Sequence, residues 1–104
     1  MPRMQSDVMH NQEQQRYEIW LLGELAGFTE YHPFRGALAF IHTQIDGKFA
    51  GQGLGSTLVH SALDEVRSRS EQVLPFCPFV RGYIRKHPEY IDLVPTRDRD
   101  AFGL

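Results

Sequence analysis

Apolar and polar residues alternate with period two through the first half of the chain and recur at helical spacing through its middle, which predicts strands first and one long helix afterwards. In residues 16–22, RYEIWLL, Tyr17, Ile19 and Leu21 alternate with Arg16, Glu18, Trp20 and Leu22, the pattern of a strand with one covered face. Gly23 breaks the run, and residues 24–31, carrying Leu25, Ala26, Phe28 and Tyr31, predict a second strand returning beside the first. His32-Pro33 and Arg35-Gly36 mark the next turn. Residues 37–45, ALAFIHTQI, are the most strand-like segment, in which Leu38, Phe40 and Ile41 precede a polar group of His42, Thr43 and Gln44. Polar residues late in a central strand mark the edge of a site.

The period changes at residue 54. Leu54, Leu58, Ala62 and Val66 fall on one helical stripe with Val59 and Leu63 beside it, while Ser56, His60, Glu65 and Arg67 face away. Glu65 and Arg69 have the spacing of an i,i+4 ion pair. The apolar stripe reads as core. Residues 72–75, QVLP, follow as a short apolar strand that the helix delivers parallel to residues 37–45. Residues 79–86 predict a short helix with Val80, Tyr83 and Ile84 inward, stopped by His87-Pro88. Residues 1–15 are polar and predict a mobile leader, and residues 96–104, with their RDRD run, a flexible tail. One domain over residues 16–95 remains between them.

The join between strand and helix carries the chemistry. Gly51, Gly53 and Gly55 alternate with Gln52 and Leu54 immediately before the helix. Glycines this close together leave the main chain bare, and the first amides of a helix have no intrahelical acceptor and sit at its positive end. Such a loop suits an anion, with phosphate first among candidates. An ordinary turn is the competing reading, since glycines before a helix are common. The spacing G-x-G-x-G matches neither the P-loop nor the dinucleotide fingerprint.

Composition narrows the partners. With 11 basic and 13 acidic residues the net charge is −2, so no global field favours nucleic acid or an anionic membrane, and any anion site is local. No apolar run approaches the roughly 20 residues of a membrane span. The single cysteine cannot form an internal disulfide, which fits a reducing compartment and predicts a cytoplasmic protein. No cysteine and histidine cluster has metal-ligand spacing, so no metal is expected.

The order strand, glycine-rich turn, helix, strand resembles the acyl-CoA-binding core of the Gcn5-related N-acetyltransferases. The blocks that carry the resemblance are IHTQI at residues 41–45, GQGLGSTLV at 51–59, PFCPFV at 75–80 and HPEY at 87–90, in the order and spacing of small single-domain members of the YjdJ type. The resemblance spans residues 17–94. It implies an α/β (α+β) fold: a mixed, mostly antiparallel sheet with a splayed central pair of parallel strands, one main helix after the glycine-rich loop and a short C-terminal helix. It further implies acetyl-CoA as cosubstrate and a small-molecule or peptidyl amine as acceptor, with no metal. Residues 37–45 and 72–75 would be the splayed strands. Ile41, His42 and Thr43 would lend backbone groups to the pantetheine arm, and the amides of Gln52, Gly53, Leu54 and Gly55, with Ser56 close behind, would hold the pyrophosphate. Three features depart from the pattern. The superfamily motif opens on Arg or Gln where this chain has Ala50, the subgroup often has an acidic residue where this chain has Gln44, and the helices that usually follow the first strand are absent.

Acetyl transfer needs a base for the ammonium proton and a proton for the leaving thiolate. His42 is the candidate base, set against a structural role for a lone strand histidine. Cys77 is the candidate nucleophile or acid, set against a buried small hydrophobe; the resemblance favours a catalytic role, and the helix beginning just after it could favour a thiolate. Tyr83 and Tyr90 are weaker candidates for the acid, fitting equally well as core anchors. His87 reads as a turn residue and His60 as a solvated helix face. A non-catalytic CoA-binding or protein-interaction module on the same fold is the alternative function. Acceptor and oligomeric state are not specified by the sequence.

Overall fold

The structure, a computed structural model, describes residues 6–104. Four strands, β1 (Ser6–Asn11), β2 (Arg16–Leu21), β3 (Glu24–Phe34) and β4 (Ala37–Ile45), lead to helix α1 (Leu54–Ser68), strand β5 (Val73–Pro75) and helix α2 (Pro78–Lys86). Short 3-10 turns at Gly47–Phe49, Pro88–Leu93, Thr96–Asp98 and Asp100–Phe102 complete the chain. The five strands stand in the order β1-β2-β3-β4-β5, antiparallel except for the parallel pair β4–β5 at one end. This is a mixed α/β fold in which the antiparallel strands are joined by tight turns and the parallel pair by α1. At Leu22-Gly23 and Arg35-Gly36 the hairpins turn in two residues, all four in the left-handed region with φ between 52° and 79°, which matches the right-handed twist of the flanking strands.

One face of the sheet and the apolar stripe of α1 make the core. Tyr17, Ile19 and Leu21 of β2 are buried with Tyr31 and Phe40 against Leu54, Leu58, Val59, Ala62, Leu63 and Val66, so both periods read in the sequence are the ones packing uses. In α2, Val80, Tyr83 and Ile84 are the buried residues.

Two expectations about the ends of the domain are corrected. Met1–Gln5 of the expected leader lie outside the described residues, but Ser6–Asn11 form the edge strand β1, with Val8 opposite Ile19 and His10 opposite Tyr17. The imidazole of His10 takes the place of an apolar inward residue, stacking 4.1 Å from the Tyr17 ring at an interplanar angle of 10°. Residues 96–104 dock on the body: Phe102 is buried edge-on against Phe76 at 5.1 Å, and the Arg99 Nε donates to the Val94 carbonyl at 2.9 Å. The anticipated Glu65–Arg69 pair is likewise replaced, since Glu65 lies 3.0 Å from His10 Nδ1 and Arg69 lies 3.3 Å from Glu71. No helix among the described residues is long and apolar enough to cross a membrane.

The feature that sets the site is a bulge in β4. Glu30 pairs with His42 but the next residue, Tyr31, pairs with Phe40, leaving Ile41 as an extra residue. Before the bulge Leu38 and Phe40 face the core. Unbroken alternation would send His42 inward next. The extra residue instead brings Thr43 into line with Thr29 and Tyr17, whose side chains are buried, and leaves both Ile41 and His42 exposed.

Candidate acyl-CoA site

β4 and β5 pair only over Leu38 to Phe40 and Val73 to Pro75. Pro75 offers no N–H to extend the ladder, and the chain turns through Phe76, whose amide bonds back to the Leu74 carbonyl at 3.0 Å. A last bond, from the Cys77 amide to the Phe40 carbonyl at 2.7 Å, closes the pair. β4 then continues through residues 41–45 with no strand among the described residues on that side. The expected parallel pair is therefore present, but it stands at the end of the sheet rather than at its centre and opens because β5 stops at Pro75, which leaves an open backbone edge along Ile41, His42 and Thr43.

Cys77 stands at the fork. It is the N-cap of α2 in extended conformation, followed by Pro78 at the first helical position, where a missing N–H costs nothing. Its thiol donates to Thr43 Oγ1 at 3.3 Å, and Thr43 Oγ1 shares a 2.9 Å hydrogen bond with Thr29 Oγ1. Cys77 is 4% exposed and Thr29 fully buried, so a chain of three polar groups runs from the fork into the core. Thr29 escaped notice in the sequence, although it is in phase with Tyr31 and so faces inward with a hydroxyl that needs a partner.

His42 is not part of that chain. It is exposed, its Nε2 lies 3.2 Å from Gln44 Oε1, and its ring meets Phe28 edge-on at 6.0 Å. The structure thus brings Thr43 rather than His42 to Cys77. Gln44 shares the outward face with His42, so the carboxylate missing at that position leaves the imidazole with an amide neighbour.

The glycine-rich loop closes on α1. Gly53 is the N-cap with φ 72°, and no side chain caps the helix. The first helical bond is donated by the Thr57 amide to the Gly53 carbonyl, so the amides of Leu54, Gly55 and Ser56 precede the ladder. Asp46 caps the preceding 3-10 turn instead, accepting from the Lys48 amide at 2.9 Å. Gly55 lets the Phe79 ring pack close: a Cβ there would lie 2.7 Å from Cζ of Phe79 and the ring would have to shift. That contact ties the loop to α2 two residues beyond Cys77, so loop, fork and thiol form one continuous region. Gln52 and Ser56 are exposed at its rim.

The tyrosines have partners of their own. Tyr90 donates to Asp64 Oδ1 at 2.6 Å and lies 2.9 Å from His60 Nδ1, and Tyr83 lies 3.2 Å from the same nitrogen. Burial, then the Asp64 carboxylate, push the Tyr90 hydroxyl well above its ordinary range; burial, then Glu89 and Asp64, raise that of Tyr83. Both hold their protons tightly, which fits anchoring between α1 and α2 better than proton donation. His60, read as a solvated face, joins this cluster, and His87 stacks on Tyr83 at 4.0 Å while its Nδ1–H donates to the Tyr83 carbonyl at 2.9 Å. Among the described residues no group of three or more His, Cys, Asp or Glu is placed to hold a metal ion.

Comparison with known proteins bears on this arrangement. The chain is similar to a solved ribosomal-protein-alanine N-acetyltransferase from Brucella melitensis biovar Abortus 2308, with 20% identity and a TM-score of 0.47 over 78% of this chain. It spans 61% of the length of that structure. No curated protein matches it. The family pattern described as GCN5-related N-acetyl-transferase matches residues 16–93, from the start of β2 to the end of the turn after α2. The chain belongs to the GCN5-related N-acetyltransferase family.

Proposed function

We propose that the protein transfers an acetyl group from acetyl-CoA to an amine, with the pyrophosphate on the amides at residues 52–55, Ser56 close behind, and the pantetheine arm along the open edge of β4 at Ile41, His42 and Thr43. The observation that carries this reading is the position of the Cys77 thiol at the fork between β4 and β5, within a hydrogen bond of Thr43. With the loop amides free of any side-chain cap, the anion has donors ready without rearrangement. Ala50 supplies no charge, so binding rests on these amides.

Cys77 contacts the thioester in one of two roles. As an acid it gives its proton to the CoA thiolate as the amine nitrogen bonds to the carbonyl carbon and the carbon–sulfur bond breaks, and it is reprotonated from the ammonium through solvent. As a nucleophile its sulfur displaces CoA, forming an acetyl-cysteine that the amine then cleaves. Among the described residues no basic group lies within hydrogen-bond reach of the sulfur, whose partner is a hydroxyl, and this favours the acid role. In this reading His42, which is exposed, takes the ammonium proton. Denatured mass spectra after incubation with acetyl-CoA separate the roles: unmodified Cys77 is expected, and an acetyl group surviving denaturation and mapped to Cys77 would establish the nucleophile.

The separation of His42 from Cys77, together with Gln44, gives a second reading a specific footing, a CoA-binding module that does not turn over. Slow release of CoA thiol in the presence of amines, lost in Cys77→Ala, supports the transferase. Tight CoA binding with no release under any amine supports the module.

A further inference from the structure

A cavity of about 400 Å³ opens beside β5, where buried Leu74 and Phe102 and exposed Phe34 and Phe76 supply an apolar lining and Arg35, Arg81 and Asp98 bring charge. Leu74 pairs with Ala39, which alternates with the core-facing Leu38 and Phe40, so the cavity lies on the face of the sheet turned away from α1. His42 stands exposed on that same face, because the bulge turns Thr43 to the core instead. Two features of the cavity are unexplained by packing. Phe34 and Phe76 meet edge-on at 6.5 Å yet leave 45% and 48% of their surfaces exposed. Arg81 is half-buried, and its guanidinium makes no hydrogen bond or ion pair among the described residues. Arg35 sits 5.1 Å over the Phe34 ring, likewise without an acidic partner among them. Asp98, the acidic residue of the lining, lies 3.7 Å from Nε of Arg97, so the two arginines keep the cavity cationic. A partly desolvated guanidinium with no acceptor is costly, and the group that best satisfies its planar donor fork is a carboxylate.

We propose that this cavity holds the carboxylate end of the acetyl acceptor, which makes the substrate an amino carboxylate with an apolar body. The carboxylate pairs with Arg81 and Arg35, the body lies between Phe34 and Phe76, and the amine points to the fork. The inference rests on the acetyl-transfer reading and adds the substrate class to it. Phe76 immediately precedes Cys77, and the Arg81 amide bonds to the Cys77 carbonyl at 3.0 Å, so cavity and thiol share one junction. Along β4 the step from Ala39 to His42 is three residues, about 10 Å of strand, which sets the distance the apolar body must span. The transfer itself is unchanged: the amine nitrogen bonds to the acetyl carbon as the carbon–sulfur bond breaks, and the CoA thiolate leaves with the proton of Cys77.

The test has a binding arm and a turnover arm, each with the wild type, Arg81→Gln and Arg81→Lys. In isothermal titration the wild type is expected to bind octanoate about tenfold more tightly than 1-octanol, the worth of one charge-assisted hydrogen bond. Arg81→Gln should abolish that preference, and Arg81→Lys, which keeps the charge but loses the fork, should retain part of it. In release of CoA thiol from acetyl-CoA, 8-aminooctanoate should show a KM about tenfold below that of octylamine at similar kcat, and Arg81→Gln should raise it to the octylamine value. A merely structural Arg81 would shift both amines alike. Equal binding of octanoate and 1-octanol by the wild type, no release with 8-aminooctanoate, or release with the same KM for both amines overturns the inference. Failure of acetyl-CoA to bind, measured separately, overturns the acetyl-CoA reading itself, and the octanoate titration does not depend on that result.

Discussion

Replacing Thr43 by valine cuts the chain of polar groups beneath the fork at its middle. Valine matches the shape of threonine, so the substitution changes hydrogen bonding and little else. The Thr29 hydroxyl is fully buried and the 2.9 Å contact with Thr43 is its only side-chain partner among the described residues, so in Thr43→Val it is left unsatisfied. The cost of an orphaned buried hydroxyl is about 1–3 kcal/mol, and the Cys77 thiol loses its acceptor as well. For a domain of this size a loss of about 2 kcal/mol lowers the melting temperature by about 10 °C. Thr29→Val removes the deeper hydroxyl while half-buried Thr43 still receives the thiol, and should cost less. The double variant removes both hydroxyls and is expected to be more stable than Thr43→Val alone, with a coupling of about 1 kcal/mol. Urea denaturation of the four proteins measures the cycle. Strictly additive losses, or no loss in Thr43→Val, would refute the claim that these hydroxyls satisfy one another.

Other consequences follow from particular contacts. Burial, followed by the opposing fields of Glu65 and Glu71 on one side and Arg69 on the other, holds the His10 imidazole below its ordinary value of 6.5. The unfolded chain therefore takes up the proton first, so the stability this group contributes is complete above pH 6.5 and declines as pH falls below it. His10→Phe keeps the stack on Tyr17 and should flatten that slope, read from melting temperatures between about pH 5 and 7. At Gly27 an added Cβ would collide with the Gln44 carbonyl and with Ile45, backbone and side chain of the paired strand, so Gly27→Ala should cost about 3 kcal/mol or more in chemical denaturation. Phe102→Ala should lose about 3 kcal/mol of packing against Phe76, and proteolysis should then cut near residues 97–99 faster than in the wild type.

Much of this architecture is written locally. β4 occupies the residues that alternation and β-propensity select, and the bounds of α2 follow from Pro78 at its first position and Pro88 beyond its end. The loop amides follow from glycine spacing and the onset of helical period. What escaped was decided at a distance. The bulge at Ile41 depends on how Glu30 and Tyr31 of β3 pair across the sheet, and nothing in IHTQI announces it. That one extra residue exchanges His42 for Thr43 beneath Cys77, so a histidine read beside the thiol faces solvent instead. β1 was obscured because its inward positions are Val8 and His10, and histidine counts as polar until Tyr17 is seen to stack on it. The C-terminal turns hang on one aromatic in a charged run, too sparse a pattern to carry a period.

The account depends most on acetyl-CoA occupying the loop and fork. A native mass spectrum of the purified protein with acetyl-CoA should show one noncovalent adduct per chain, and Gly53→Asp, which sets a side chain and a negative charge at the N-cap, should abolish it. An unchanged native mass at millimolar acetyl-CoA would contradict the account and reduce the glycine-rich loop to a turn.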